Sequence, residues 1–126
     1  MTDAVDDQDA YATAERLLGH PLVPALGPGE PDVGNDFLRL GMEHTFGGVW
    51  RRPGLDLRSR ALISVTIAAV LGLQAPLRGQ LRIALNCGVT KEEIVELFIH
   101  LQAYAGAGRA VEGYQIAKEF FAQSAP

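Results

Sequence analysis

Leu77-Arg78-Gly79-Gln80-Leu81-Arg82-Ile83-Ala84-Leu85-Asn86-Cys87-Gly88-Val89-Thr90-Lys91-Glu92-Glu93-Ile94 ends one helix and starts the next. Leu77, Leu81, Ala84 and Leu85 recur at helical spacing, and Gly88 suits the left-handed residue that closes a helix. Thr90-Lys91-Glu92-Glu93 is a capping box: the hydroxyl and the carboxylate each satisfy a backbone amide at the helix start. Ile94, Leu97, Phe98, Leu101 and Tyr104 then follow as an i, i+3, i+4, i+7 stripe.

Working outward, the same punctuation recurs. Leu71 to Ala75 form a turn around Gly72, and Pro76 suits the first position of the helix that follows. Upstream, Asp56 is a good N-cap, because its carboxylate can accept from free first-turn amides. The helix it opens carries Leu62, Ile63, Val65, Thr66, Ile67, Ala69 and Val70 around almost every face. A helix apolar all round is buried on all sides, which in so small a chain calls for partner subunits.

Towards the N-terminus, residues 33–46 are expected to be helical, with Phe37, Leu38 and Met42 on the buried side and Gly47-Gly48 as the stop. Residues 20–31, with four prolines and two glycines, read as a loop. Tyr11, Ala14, Leu17 and Leu18 lie on one face of a first helix that Gly19 and Pro21 end. Beyond Gly106 and Gly108, a last helix presents Val111, Tyr114, Ala117 and Phe121. Strand-period alternation is missing, so the expected fold is all-α with about six helices.

The 126 residues suffice for one domain with one core, so a single domain over 1–126 is expected, with 1–9 a flexible acidic tail. Hydrophobic content of 48% and charged content of 21% are ordinary for a soluble globular protein. A net charge of −4 disfavours an electrostatic grip on nucleic acid or on an anionic membrane. The apolar run 61–73 is too short to span a bilayer. The single cysteine, Cys87, excludes an intrachain disulfide and a CxxC pair. The N-terminus lacks the apolar core of a signal peptide, and the expectation is a cytoplasmic protein.

The candidate chemistry is sparse. His44, beside Glu43 near a helix end, reads either as a solvated histidine favoured by the helix dipole or as a general acid or base lining a pocket with Trp50. Arg51 and Arg52 follow Trp50 and precede the Pro53-Gly54 turn; their guanidinium forks match a carboxylate, as a surface partner or as an anionic substrate group. Arg58, Arg60, Arg78 and Arg82 read as structural. Cys87 sits where the helix dipole opposes a thiolate, so it reads as inert. His100 lies beside the apolar stripe and reads as a hydrogen-bonded core or interface residue. His20, His44 and His100 have no ligand-like spacing, so no metal is expected.

Two segments together carry a resemblance: Phe46-Gly47-Gly48-Val49-Trp50-Arg51-Arg52-Pro53-Gly54-Leu55-Asp56, and the 77–94 stretch quoted above. With Arg60 and the Tyr104-Ala105-Gly106 turn, they resemble the γ-carboxymuconolactone decarboxylase family of the alkylhydroperoxidase-D-like superfamily, from Asp36 to Phe121. The resemblance implies an all-α fold around a helical hairpin, assembly as a homotrimer or homohexamer, and pockets near subunit contacts. It implies a cofactor-independent lyase for a small carboxylated lactone or related metabolite. It also implies a histidine at the position of Gln80 and acidic residues at those of Gly48 and Pro76, none of which this chain has. Gln80 can exchange hydrogen bonds with a ligand but cannot move a proton. The expected site is therefore His44 as proton carrier, with Trp50, Arg51, Arg52 and Gln80 binding substrate. Two functions follow: an enzyme divergent in substrate or reaction, such as one tailoring a secondary metabolite, or a non-catalytic small-molecule-binding or assembly protein. The superfamily's thiol peroxidase branch uses a CxxC pair, so that activity is disfavoured.

Overall fold

The computed structural model describes residues 7–22 and 25–123, and among them every regular element is helical. The chain divides into two compact units, Met1–Gly54 and Leu55–Pro126.

The first unit opens with α1, Asp7–Leu18. Of the tail expected at 1–9, residues 1–6 lie outside the described residues, while Asp7 to Asp9 form the first turn of α1. Gly19 ends the helix at φ 79°, as the sequence implies. Ala10, Thr13, Ala14 and Leu17 form the buried face. After the loop comes α2, Gly34–Met42.

Here the structure departs from expectation. No residue of α2 is buried, and Phe37 is 80% exposed. Leu38 and Met42 are half-buried. Nor does Gly47-Gly48 stop the helix. The chain widens into a π-helical turn, Glu43–Gly48, and then tightens into a 3₁₀ turn, Val49–Arg51. The amide of Val49 reaches back to the carbonyl of His44, the i→i−5 bond that defines the wider turn. The glycines have no side chains to resist this change of pitch, and α1 packs against the widened turn.

The second unit is four helices: α3 (Leu57–Leu71), α4 (Gln74–Asn86), α5 (Lys91–Ala105) and α6 (Ala107–Gln123). Asp56 caps α3 by accepting from the Ser59 amide at 2.7 Å. Gly72, at φ 71°, closes α3, with Leu73 N–H bonded to the Ala68 carbonyl. The result is a tight α3–α4 hairpin. Pro76 is the third helical residue, not the first, because α4 begins at Gln74. Gly88, at φ 90°, closes α4 in the same way, and the buried Val89 bonds back to Ala84. The capping box at Thr90 and Glu93 is present in both directions.

Leu77, Leu81, Ile83, Ile94 and Val65 are the largest fully buried side chains. Each stabilises the unit by about 1.5–3 kcal/mol through burial. Three of the four arginines read as structural span helices. Arg58 pairs with Glu93, Arg78 with Glu119 at 2.9 Å, and Arg82 lies over the Phe120 ring at 5.6 Å.

Two further expectations change. The α5 stripe is buried at Ile94, Phe98 and Leu101, but Tyr104, in the last turn before α5 ends at Ala105, is 83% exposed. In α6 the inward line is Ala110, Gly113, Ile116, Ala117 and Phe120, so of the four residues expected only Ala117 is buried; Val111 and Tyr114 face out. Gly113 sets this register by letting α6 approach Phe98 and Ala69 closely. Finally, α3 buries Ala61, Val65, Ala68 and Ala69 but leaves Ile63, Ile67 and Val70 exposed within the single chain.

Candidate functional site

The first unit gathers His44, Trp50, Arg51 and Arg52 along the π-helical and 3₁₀ turns. His44 is exposed, on the second residue of the π-helical turn, and its carbonyl takes the long bond from Val49. Single π turns recur at functional sites because they displace side chains from the ordinary helical register. Trp50 is buried and stacks on Phe46, with centroids 6.3 Å apart and planes 14° from parallel. Most of its ring is therefore committed to the interior. Arg51 is exposed and lies 3.7 Å from Asp9. Arg52 begins the extended exit from the 3₁₀ turn and is also exposed.

The second unit holds Gln80, on α4 one residue before the fully buried Leu81. The residue as a whole is half-buried, but its side-chain carbonyl oxygen is shut from solvent and has no hydrogen-bond partner among the described residues. A buried acceptor left unmet costs about 1–3 kcal/mol, so such groups are exceptional in folded chains. Sequence alone singles out Gln80, but not this unmet atom.

Cys87 is the C-cap residue of α4, and partial burial pushes its thiol above the usual range. That agrees with an inert cysteine. Among the described residues, no cluster of three or more His, Cys, Asp or Glu side chains is placed to hold a metal. No helix among them is long and apolar enough to cross a membrane.

Two grooves open on this unit. The larger, about 710 Å³, runs between α3 and α5 and is lined by Leu62, Ile63, Thr66, Ile67, Glu93, Glu96, Leu97, Ile99, His100 and Leu101. The smaller, about 370 Å³, runs between α5 and α6 and shares Ile99. Neither is lined by His44, Trp50, Arg51, Arg52 or Gln80. His100, expected in a core or interface, is exposed on the larger groove and meets the Tyr104 ring at 4.9 Å. Glu96 escapes a sequence reading; the available signal is its i, i+4 spacing from His100.

A model of the carboxymuconolactone decarboxylase family matches residues 35–119. The 4-carboxymuconolactone decarboxylase of Acinetobacter baylyi is 37% identical over 90 residues, 71% of this chain and 67% of that protein. Nitrosuccinic acid decarboxylase npaB of Metarhizium robertsii is 40% identical over 72 residues, 56% of this chain and 49% of that protein. An uncharacterized 15.0 kDa protein of Paracoccus denitrificans is 32% identical over 84 residues, 65% of this chain and 63% of that one. The chain thus matches about two thirds of the first and third relatives and about half of the second.

Proposed function

The chain belongs to the carboxymuconolactone decarboxylase family, and on that premise we propose that it is a decarboxylase-like lyase for a small oxygenated acid or lactone, divergent in substrate. The observation that carries this reading is that two relatives of different substrate are both named decarboxylases. What they share is the loss of CO₂ from a small carboxylic acid.

That reaction breaks a carbon–carbon bond and leaves the electron pair on carbon. The pair must be delocalised, and a proton must replace the lost carboxylate. In our reading Gln80 serves the first need. Its side-chain amide hydrogen-bonds the ligand oxygen on which charge develops. An amide cannot deliver a proton at neutral pH, so we assign that step to His44. Arg51 and Arg52 hold the anionic substrate group, and Trp50 supports the turn that carries them. We further propose that the chain works as a homo-oligomer, because α3 leaves Ile63, Ile67 and Val70 uncovered in one copy.

The test is CO₂ release from 4-carboxymuconolactone and from nitrosuccinate, with purified protein and no added cofactor. Turnover of either supports the reading. A melting-temperature shift with these ligands and no CO₂ release would favour the non-catalytic binder.

A further inference from the structure

The groove between α5 and α6 has a chemistry unlike that of the site proposed above for an acid. No aspartate, glutamate, lysine, arginine or histidine lines it. Phe98 and Ala110, both almost fully buried, form its base. Ala110 contributes a single methyl where a longer side chain would fill the space. Tyr114 stands to one side. Its ring meets Phe98 edge-on, with centroids 6.2 Å apart and planes at 76°, so it is a wall of the groove rather than a lid over it.

Two exposed amides complete the lining, Gln102 from α5 and Gln115 from α6. Neither side chain is hydrogen-bonded among the described residues. Each presents a carbonyl acceptor beside N–H donors in one plane, so each can grip a partner that sets a donor next to an acceptor. A glutamine recognises the edge of a purine in this way.

The groove narrows the choice of occupant. At about 370 Å³ it falls within the range of small-molecule pockets, whereas a partner helix about 10 Å across needs more room. An anion would give up hydration here and meet no cation. A purely apolar ring would cover Phe98 and Tyr114 but cost both amides their hydrogen bonds to water.

We propose that the α5/α6 groove binds an uncharged, flat nitrogen heterocycle that carries donor N–H groups next to acceptor nitrogens. The ring lies over Phe98 and Ala110 against the face of Tyr114, and the amides of Gln102 and Gln115 pair with its polar edges. This site is separate from the residues assigned to decarboxylation, none of which lines the groove.

The experiment titrates the purified protein with adenine, 7-azaindole and indole at pH 7.5 by calorimetry, with circular dichroism confirming that each variant folds. All three probes are flat and uncharged. Adenine presents more than one donor–acceptor edge, 7-azaindole one and indole none. Affinity should fall in that order, by about threefold or more at each step. Adenine should also shift the side-chain amide signals of Gln102 and Gln115 in nitrogen–proton NMR spectra. Gln102→Leu and Gln115→Leu should each weaken adenine about threefold or more while leaving indole within about twofold. Ala110→Leu, which fills the base, should weaken all three probes; if it fails to fold, the two glutamine variants still decide. Absent binding of adenine, equal affinity for the three probes, or a preference that survives both glutamine changes overturns the site. CO₂ release should be unaltered in Gln102→Leu and Gln115→Leu, so failure here leaves the decarboxylase reading standing.

Discussion

One terminal nitrogen of Arg58 donates to both carboxylate oxygens of Glu93, 35 residues further along the chain. The same carboxylate accepts from the Thr90 amide at 2.9 Å. A local cap and a long-range ion pair therefore share one side chain, tying the first turn of α3 to that of α5.

This sharing sets an acid dependence. Hydrogen bonding from Arg58, with help from the Thr90 amide, holds Glu93 down to about 2 from its ordinary 4.5. A depressed carboxylate contributes stability that is fully present above its unfolded value and is lost as pH falls towards the folded one. Urea midpoints should therefore show Glu93→Gln less stable than the unaltered protein at pH 7. The gap should narrow between pH 4.5 and 2. A gap constant across that range would show that the pair contributes nothing through ionisation.

The cap can be tested separately. Thr90→Ala removes the acceptor for the Glu93 amide and should cost about 1 kcal/mol, with Thr90→Ser close to neutral. Equal losses for alanine and serine would point to packing of the threonine methyl instead.

Two glycines should respond with opposite signs. A Cβ on Gly113 would lie 2.6 Å from Phe98 Cε1, so Gly113→Ala overpacks the α5/α6 contact and should cost about 1–3 kcal/mol. A Cβ on Gly79, inside α4, meets nothing within 4 Å, so Gly79→Ala should stabilise by about 0.5–1 kcal/mol. Denaturant melts of both variants decide the matter.

Gln80→Ala should weaken ligand binding by about 1–2 kcal/mol, the value of one neutral hydrogen bond plus part of its desolvation. His44→Ala should lower turnover about a hundredfold if the imidazole carries the proton. Binding by calorimetry and turnover by CO₂ release separate the two. Full turnover without His44 would remove it from the mechanism.

Cys87→Ser should leave turnover within about tenfold of the unaltered protein, since the thiol stays protonated near neutral pH. Slow alkylation by iodoacetamide at pH 7.5 is the matching chemical readout.

The features legible in the sequence are those whose causes are local. Asp56, Gly72, Gly88 and the Thr90–Glu93 box act on backbone groups within a few residues, so spacing alone locates them and the three helices they bound. The apolar character of α3 is equally plain. Which of its faces stays uncovered is not, because that depends on where α5 and α6 pack. The inward line of α6 follows from the close approach at Gly113. Gly47-Gly48 reads as a stop in any local code, yet the chain carries on as a π-helical and then a 3₁₀ turn packed against α1. The candidate site divides in the same way. Residue type marks Gln80, His44 and the two arginines, because hydrogen-bonding and proton-transfer capacity belong to the side chain itself. The unmet carbonyl of Gln80 arises only when helices distant in sequence close around it. Burial and solvent exclusion are properties of the packed chain, not of any residue in it.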